Sequence, residues 1–387
     1  MDNKTLEWLT LSLIFSAGNP HLRDVLMISE NDPGKALDLI KSGEFHLTPG
    51  ETNFYRKYSE NEIDKIVKKC QSTDTDIICF DDPDYPVRLK NIFDPPAVLY
   101  FRGCRECLDS LLSISVVGTR KPTVYGEKAA YRISNELAAA GFTIVSGFAP
   151  GIDANAHRGA LDADGRTIAV LGCGIDIDYP KSNTKMREMI LEKGGFISEF
   201  PFGTPPVGKN FPVRNRIISG ISLGVFTAEA PLKSGALITT DMAIEQGRDV
   251  FMLPPSDIFD DNCRGVVKYL RDGAFPVFGS EDIISEYLPL YPGLSKYLDN
   301  REKNEHIGSF VRTELNTKKP EKNITSQSFN LEGIKAEIAK LLSKGTMHID
   351  ELSEAMEMST DDIMFELTEL EMDGVVVSLP GKMYKLH

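Results

Sequence analysis

The stretch SISVVGTRKPTVYGEKAAYRISNELAAAGFTIVSG, residues 113–147, decides which fold the sequence predicts. It opens with the apolar run 113–117, which is typical of a buried strand. Apolar residues at three-to-four spacing over 124–140 then predict an amphipathic helix, which Gly141 ends. A second apolar run over 142–147 predicts another strand. Strands that alternate with helices in this way favour parallel pairing in one sheet.

The same alternation continues along the chain. Further strands are predicted at RTIAVLG (166–172), GGFISE (194–199), SLGVFTA (222–228) and RDVFML (248–253). Helical patterns fill the gaps, among them KSNTKMREMILEK and SGALITTDMAIEQG. The predicted fold is therefore of the α/β class, with a doubly wound, mostly parallel sheet.

The regions around this sheet differ from it in pattern. Residues 1–68 carry helical periodicity and predict a small helical domain, followed by the sheet domain over 69–289. Residues 290–330 are charged and polar with little apolar periodicity, which predicts a linker. Residues 331–387 show three helical segments and then a hairpin, the pattern of a winged helix.

Composition limits the classes of protein to consider. The chain has 387 residues, 41% of them hydrophobic and 26% charged, with a formal net charge of −14 and a pI near 5.0. These values predict a multidomain globular protein without a generally basic surface. We expect a cytoplasmic location, because no apolar run would span a membrane and the N-terminus has no signal-peptide pattern. The six cysteines are expected to be reduced thiols, and whether Cys104 and Cys107 bind a metal stays open.

The loops at the predicted carboxyl ends of the strands are rich in glycine beside Ser, Thr, Arg or Lys. Such loops lie at one edge of a parallel sheet, where backbone N–H groups bind anions. FPVRNRIISG (211–220) adds arginines with no carboxylate in that stretch. We therefore expect Lys209, Arg214 and Arg216 to line a groove for phosphates. Aromatic residues among the same loops favour single-stranded nucleic acid, although core packing is the simpler reading for Phe200 and Phe202.

Other phosphate-binding and catalytic motifs are missing from the sequence. Neither G-x-G-x-x-G nor a Walker motif occurs, and no G-x-S-x-G supports a triad of Ser146, Asp153 and His157. We expect Asp153 to cap its helix, His157 to hydrogen-bond at the loop edge, and two strand-end carboxylates (Glu199, Glu229) to orient arginines or backbone amides. The sequence predicts no enzyme, no cofactor and no metal site.

Taken together, the loop sequences resemble the DNA-processing protein A (DprA/Smf) family. The resemblance rests on VGTRKPTVYG, SGFAPGIDANAHRGAL, YPKSN, SEFPFGTPP, FPVRNRII, EAPLKSGALIT and GRDVF, in family order over about 113–278. It implies a Rossmann-like domain after a SAM-like helical domain. It also implies a homodimer that binds single-stranded DNA and loads the RecA recombinase during natural transformation. Two positions depart from the family pattern, Pro255 and Val267, and Pro150 occupies a variable position that is often basic in relatives.

The resemblance also implies which residues contact DNA. Side-chain and backbone contacts are expected from Gly118, Thr119, Arg120, Ser146, Gly147, Gly151, Lys181, Asn183, Lys209, Phe211, Arg214, Asn215, Arg216, Ser234 and Gly235. The alternative is a nucleotide-processing enzyme of the LOG-like phosphoribohydrolase class, whose sheet is similar. That class has a GGGxGT-type loop and a catalytic glutamate beside it, which this sequence lacks.

The tail has an unusual charge pattern for a winged helix. Its third helical segment, STDDIMFELTELEMDG (359–374), contains six carboxylates and neither Lys nor Arg. Six negative charges would be repelled by a phosphate backbone. We therefore expect a protein-contact or regulatory module at 331–387 rather than a reader of duplex DNA.

Overall fold

The computed structural model describes residues 2–57, 60–108, 111–298, 334–343, 345–356, 358–372, 375–379 and 383–386. The chain divides into two units, residues 1–304 and 305–387. All six cysteines are free thiols, as the sequence predicts. In the described part of the chain, no helix is both long and apolar enough to cross a membrane.

A nine-stranded sheet organises the described part of the first unit. Its strands are β1 (Asp76–Cys79), β2 (Val98–Gly103), β3 (Ser113–Val117), β4 (Thr143–Ser146), β5 (Thr167–Leu171), β6 (Gly195–Ser198), β7 (Gly224–Thr227), β8 (Asp249–Met252) and β9 (Phe275–Pro276). Their spatial order is β1-β2-β6-β5-β4-β3-β7-β8-β9. In this spatial order, every neighbouring pair from β6 through β5, β4, β3, β7 and β8 to β9 is parallel. Strand β2 pairs antiparallel with both β1 and β6. The predicted mostly parallel sheet is confirmed.

Helices precede the sheet and connect its strands. They are α1 (Asn3–Phe15), α2 (Pro20–Ile28), α3 (Pro33–Ser42), α4 (Pro49–Lys57), α5 (Glu60–Ser72), α6 (Val87–Lys90), α7 (Val124–Ala139), α8 (Ile152–Asp162), α9 (Thr184–Lys193), α10 (Asn210–Ile221), α11 (Gly235–Glu245), α12 (Arg264–Arg271) and α13 (Ser280–Tyr287). Of these, α10 is missing from the sequence prediction, which treats its residues as a strand-end loop. A proline in the first turn does not break a helix, so Pro212 is compatible with α10.

Both faces of the sheet are covered by helices, as in a doubly wound fold. Along β3, Ile114 and Val116 join the apolar cluster of α7, α8 and α13. On the other face, Val117 joins the cluster with α10, α11 and α12, and Ser115 donates a hydrogen bond to the Ile218 carbonyl at 2.7 Å. The alternation follows from the two-residue period of a strand.

The strand order reverses beside β3. The chain runs from β3 outward through β4, β5 and β6, and then returns to place β7 on the other side of β3. The loops that follow β3 and β7 therefore separate at their carboxyl ends and leave a crevice between them. This topology determines where a ligand site can form.

The N-terminal helices pack on the antiparallel edge of the sheet. Trp8 of α1 is fully buried, and its ring centroid lies 5.7 Å from that of Phe80, just after β1. Residues of α1, α2 and α3 share one apolar cluster with Val98 and Tyr100 of β2. The helical region and the sheet are thus joined by a common core, while the boundary predicted between residues 68 and 69 stays a prediction.

The second unit has its own small core. It contains α14 (Ile334–Leu342), β10 (Met347–His348), α15 (Ile349–Met356), α16 (Thr360–Met372), β11 (Val376–Leu379) and β12 (Met383–Leu386). The strands pair antiparallel in the order β10-β12-β11. Three helices and a hairpin confirm the predicted winged helix. Most of the predicted linker, residues 299–330, lies outside the described residues.

Helices α7 and α8 cross at Gly159, and this crossing generates a stability prediction. A Cβ atom at Gly159 would press on the Tyr131 carbonyl oxygen, which is backbone and cannot turn aside. We expect Gly159→Ala to lower the free energy of unfolding by about 1–3 kcal/mol, the usual cost of overpacking. Gly50→Ala is the control, because Gly50 of α4 has nothing within 4 Å. Urea unfolding that shows equal effects for both variants would contradict this crossing geometry.

Candidate nucleic-acid interface

A cleft of about 660 Å³ opens at the point where the strand order reverses. Its walls are the loops after β3, β4 and β7, one face of α10 and the start of α11. The lining residues named in the sequence analysis are Gly118, Thr119, Arg120, Asp153, Phe211, Arg214, Asn215, Ser234 and Gly235. The structure thus brings together side chains from widely separated parts of the chain at the expected sheet edge.

Helix α10 contributes most of one wall. Phe211, Arg214, Asn215 and Ile218 line the cleft, at the three- and four-residue spacing that places side chains on one helix face. On the remaining surface, Gly220 packs closely against Leu89 and Ile92, since a Cβ there would lie 2.8 Å from Leu89 Cδ1. The helix therefore has a cleft face and a buried supporting face.

An aromatic ring and an exposed cation lie together at the mouth of the cleft. The exposed Arg120 guanidinium carbon is 5.4 Å from the Phe211 ring centroid, and the Arg214 guanidinium is 6.0 Å from it. The Tyr179 ring lies 5.9 Å from the same centroid. Gly172 permits this arrangement, because a Cβ there would lie 2.8 Å from Phe211 Cδ1. Cations beside partly exposed rings can bind phosphate and base at once.

Arg214 differs from the expected exposed contact. It is only 5% exposed, and its Nη1 donates to the carbonyls of Gly147, at 2.9 Å, and Val170. Burial lowers the pKa of Arg214 to about 10, partly offset by Asp153, so the side chain stays charged at neutral pH. Part of it lines the cleft, where it supplies a fixed positive charge while it holds α10 to the ends of β4 and β5.

Asp153 supports the loop between β4 and α8. Its Oδ2 accepts hydrogen bonds from the backbone N–H groups of Gly147, at 3.1 Å, and Ala149, at 3.2 Å. Burial raises the pKa of Asp153 to about 6, against the opposing effect of Arg214. The expected helix cap is wrong in detail, because both donors precede α8. With this carboxylate beside it, the Gly147 amide is already engaged and is not a free phosphate donor.

The start of α11 forms the opposite wall. Ser234 caps this helix by accepting a hydrogen bond from the Ala236 N–H at 3.2 Å, and Gly235 is exposed beside it. Asn215 of α10 donates to the Gly235 carbonyl at 3.2 Å. The wall therefore presents the positive end of a helix dipole to the cleft.

Buried polar contacts set the loop after β3. The Thr119 N–H donates to the Glu229 carbonyl at 2.7 Å, and the Thr119 carbonyl accepts from Ile152 N–H at 3.2 Å. Gly151 (φ +86°) allows that approach, since a Cβ would lie 2.5 Å from the Thr119 oxygen. The Glu229 carboxylate accepts from Thr123 through both its N–H, at 2.7 Å, and its hydroxyl, at 2.6 Å. The expectation that Glu229 orients backbone amides is confirmed.

Arg216 does not line the cleft described above. It is 4% exposed, its Nη2 donates to Glu199 at 2.7 Å, and its Nε lies 2.9 Å from an Asp94 oxygen. Burial opposes its charge, yet the two carboxylates outweigh this and raise the pKa of Arg216. Arg216 is therefore paired internally, whereas the sequence analysis expected it to line a groove for phosphates. We assign it to the supporting face of α10, where Glu199 orients it as predicted for that carboxylate.

The remaining predicted contacts divide into exposed and engaged groups. Lys181 and Lys209 are exposed, at the start of a 3₁₀ turn and just before α10. Ser146 is fully buried and donates to the Val116 carbonyl at 2.6 Å. Asn183 donates to the Phe148 carbonyl at 3.1 Å. Ser146 and Asn183 are thus occupied in holding the loops, whereas the two lysines are available to a ligand.

His157 is a core residue rather than a loop-edge one. It is fully buried, and its Nδ1 lies 2.7 Å from the Thr167 hydroxyl. Burial lowers the pKa of His157 to about 3, so the ring is neutral at physiological pH. Ser146 and Asp153 bond to backbone groups instead of to this ring. The three residues do not form a hydrolytic triad.

Several cleft residues are absent from the sequence prediction. Lys121, Ala149, Thr239 and Asn262 also line the cleft. Lys121 directly follows Arg120, so the GTRK run could have predicted that Lys121 also lies at the cleft. Asn262 lies in the 3₁₀ turn before α12 without any such pattern, and only the folded chain brings it to the cleft.

Comparison with known proteins agrees with this architecture. A family model described as DNA recombination-mediator protein A matches residues 76–288, which contain the sheet and the cleft. The chain belongs to this family. A model of the DprA winged helix domain matches residues 325–382. The family is one of DNA-processing proteins.

Relatives of this DNA recombination-mediator family match over long stretches. Protein Smf from Synechocystis sp. is 36% identical over 333 residues, which are 83% of this chain and 82% of that protein. DNA processing protein DprA from Bacillus subtilis is 42% identical over 202 residues, 52% of this chain and 68% of that protein.

Solved structures of the family show the same fold. The X-ray structure of DprA from Streptococcus pneumoniae superposes with a TM-score of 0.64 at 32% identity, covering 74% of this chain and 99% of that one. DNA processing protein A from Helicobacter pylori gives a TM-score of 0.51 at 30% identity, covering 56% of this chain and 97% of that one. The latter structure is described for its single-stranded DNA binding mode.

Substitutions of Arg216 and Arg120 should differ sharply in their effect on the stability of the fold. Arg216→Ala leaves Glu199, 8% exposed, without its cation, and we expect it to lower the free energy of unfolding by about 3–5 kcal/mol. Arg120→Ala removes an exposed side chain and should change it by less than about 1 kcal/mol. Urea unfolding followed by circular dichroism measures both. Similar midpoints for the two variants would contradict the assignment of Arg216 to a supporting role.

Proposed function

We propose that the protein binds single-stranded DNA in the cleft at the carboxyl ends of β3, β4 and β7. The observation that carries this proposal is the half-buried Phe211 ring in the cleft, with the guanidinium groups of Arg120 and Arg214 within about 6 Å of its centroid. Unpaired bases stack on such a ring, whereas the bases of a duplex are already stacked on one another. The H. pylori relative, described for its single-stranded DNA binding mode, supports the same ligand class.

Phosphates have suitable partners around that ring. Arg120, Lys121 and Lys209 are exposed, and the start of α11 contributes its dipole. The chain as a whole carries a formal charge of −14, so it repels nucleic acid away from this region. A local positive site in an acidic protein favours one defined path for the strand over general coating.

We further propose that the bound strand is passed to the RecA recombinase during DNA uptake and natural transformation. Family membership supports this role, which requires binding rather than catalysis and takes place in the cytoplasm. We also propose that the protein acts as a homodimer through its sheet domain, as the family resemblance implies. Two copies would hold two segments of one strand and so raise its effective affinity.

Binding should be selective for single strands and sensitive to salt. The wild-type protein should bind a single-stranded oligonucleotide more tightly than the matching duplex, with affinity falling linearly with salt on logarithmic axes. Arg120→Ala should weaken binding about tenfold and reduce the salt slope by about 0.7, the value for one phosphate contact on a single strand. Fluorescence anisotropy over a range of salt concentrations measures both quantities.

Arg271→Ala is the matched control for this measurement. Arg271 is exposed and ends α12, and the carboxyl ends of helices in a parallel α/β sheet lie opposite the cleft edge. Its removal should leave affinity and slope unchanged. Equal or tighter binding of duplex by the wild-type protein, or equal losses for the two arginine variants, would refute the proposed site.

The winged helix has a different role in this proposal. In α16, Asp362 and Glu371 are exposed, and the six carboxylates of 359–374 would repel a phosphate backbone. We propose that residues 331–387 contact a protein or regulate the first unit instead of gripping DNA. This follows from charge, since a winged helix that reads duplex DNA places its third helix in the major groove.

Removal of the winged helix tests whether DNA binding resides in the first unit alone. A chain that ends at residue 323 should keep its single-stranded DNA affinity within about twofold, because the cleft residues all belong to the first unit. The comparison with the full chain uses the same oligonucleotide and salt. Loss of binding on truncation would show that the tail holds the strand.

A further inference from the structure

Helix α10 is supported from behind by the N-terminal helices. Its cleft face carries Phe211 and Arg214, while Val213, between them in sequence, faces the loop that joins α1 to α2. A Cβ built on Gly18 of that loop would lie 2.6 Å from Val213 Cγ1. The backbone of the loop at Gly18 therefore packs directly against the Val213 side chain of α10.

A polar contact at the same place joins the loop to the supporting face of α10. The Gly18 N–H lies near the Glu199 carboxylate, which in turn accepts from Arg216 Nη2 at 2.7 Å and 2.8 Å. Half-buried Gly18 thus lies beside the buried ion pair of Glu199 and Arg216. Both the apolar and the polar contact end on α10.

The loop itself is held rigidly. Asn19 accepts a hydrogen bond from the His21 N–H at 3.0 Å and donates to Glu51 Oε1 at 2.7 Å. Glu51 is buried, and its Oε2 accepts from the Thr48 N–H at 2.8 Å. Gly18, directly before Asn19, adopts φ +71°. Because these hydrogen bonds hold the loop in place, the position of the loop can determine the position of α10.

We infer that the α1–α2 loop positions α10 for DNA binding, so that Gly18 and Val213 determine the affinity of the cleft without touching the strand. The inference rests on the proposed function, because affinity for single-stranded DNA is its readout. Two cleft residues are close to Val213 in the same helix: Phe211 lies two positions before it, and Arg214 directly follows it. A shift of Val213 therefore moves the ring and the guanidinium relative to Arg120, and small displacements of binding groups have large effects on affinity.

A comparison of substitutions at two glycines separates the effect of the Gly18–Val213 contact from the effect of backbone strain. Gly18→Ala introduces both a left-handed alanine and a clash with Val213. Gly43→Ala is the matched control, because Gly43 has φ +81° and nothing within 4 Å. An alanine is disfavoured at positive φ in both places, so both variants should melt at lower temperature than the wild type.

Their DNA affinities should differ. Measured well below the melting temperature of either variant, Gly18→Ala should bind a single-stranded oligonucleotide about five- to tenfold more weakly than the wild type. Gly43→Ala should match the wild type. A merely structural role for Gly18 would lower the melting temperature and leave the dissociation constant of the folded protein unchanged.

A second substitution supplies a rescue. Val213→Ala removes the methyl groups that a Cβ at residue 18 would meet, so Gly18→Ala with Val213→Ala should recover most of the lost affinity. The melting temperature of the double variant should stay below that of Val213→Ala alone, because the strain at φ +71° remains. Recovery of affinity without recovery of stability would show that the contact between residues 18 and 213 positions α10.

The outcomes separate this inference from the function on which it rests. If the wild type does not bind single-stranded DNA, the proposed function fails. If the wild type binds and Gly18→Ala binds as tightly as Gly43→Ala, the positioning role is refuted while the proposed function stands. Failure of Val213→Ala to restore affinity to a folded Gly18→Ala protein would also refute it.

Discussion

The buried guanidinium of Arg214 is the interaction on which the site depends. It joins α10 to the carbonyls of Gly147 and Val170 at the ends of two central strands. A Cβ at Gly147 would lie 2.7 Å from Arg214 Nη2 and 2.8 Å from Asp153 Oδ2, so only glycine fits between the charge and the carboxylate. A buried cation without such acceptors would destabilise the fold. Satisfying Arg214 therefore brings the helix, the loop after β4 and the floor of the cleft into one arrangement.

Helix α10 also explains why the two arginines of FPVRNR have different roles. Arg214 faces the cleft side and Arg216, two residues later, faces Glu199 and Asp94. Positions two apart lie on different faces of a helix. Glu199 and Asp94 thus neutralise Arg216 internally, while the exposed cations Arg120 and Lys121 line the cleft. The positive site is produced by selective pairing of charges rather than by an excess of basic residues.

Local patterns predicted much of this architecture, whereas tertiary contacts did not follow from them. Apolar runs such as 113–117 and 166–172 predicted strands, because a strand that is buried on both faces consists mainly of apolar residues. The glycine loops marked the sheet edge that carries the cleft. Helix α10 was missed because Pro212 and the charged residues around it resemble a loop. One of the two carboxylate partners of Arg216, Asp94, is remote in sequence, and no pattern links the two residues. The engagement of Ser146 and of the Gly147 amide likewise depends on neighbours that only the folded chain supplies.

In the proposed complex, an unpaired base stacks on an aromatic ring at the mouth of this cleft. Photochemical cross-linking tests it directly, with a single-stranded oligonucleotide that carries 5-iodouracil and with mass spectrometry to locate the linked residue. Cross-links should map to Phe211 or Tyr179, whose rings lie 5.9 Å apart at the cleft. Cross-links confined to the winged helix, residues 334–386, with none at the cleft, would contradict the account.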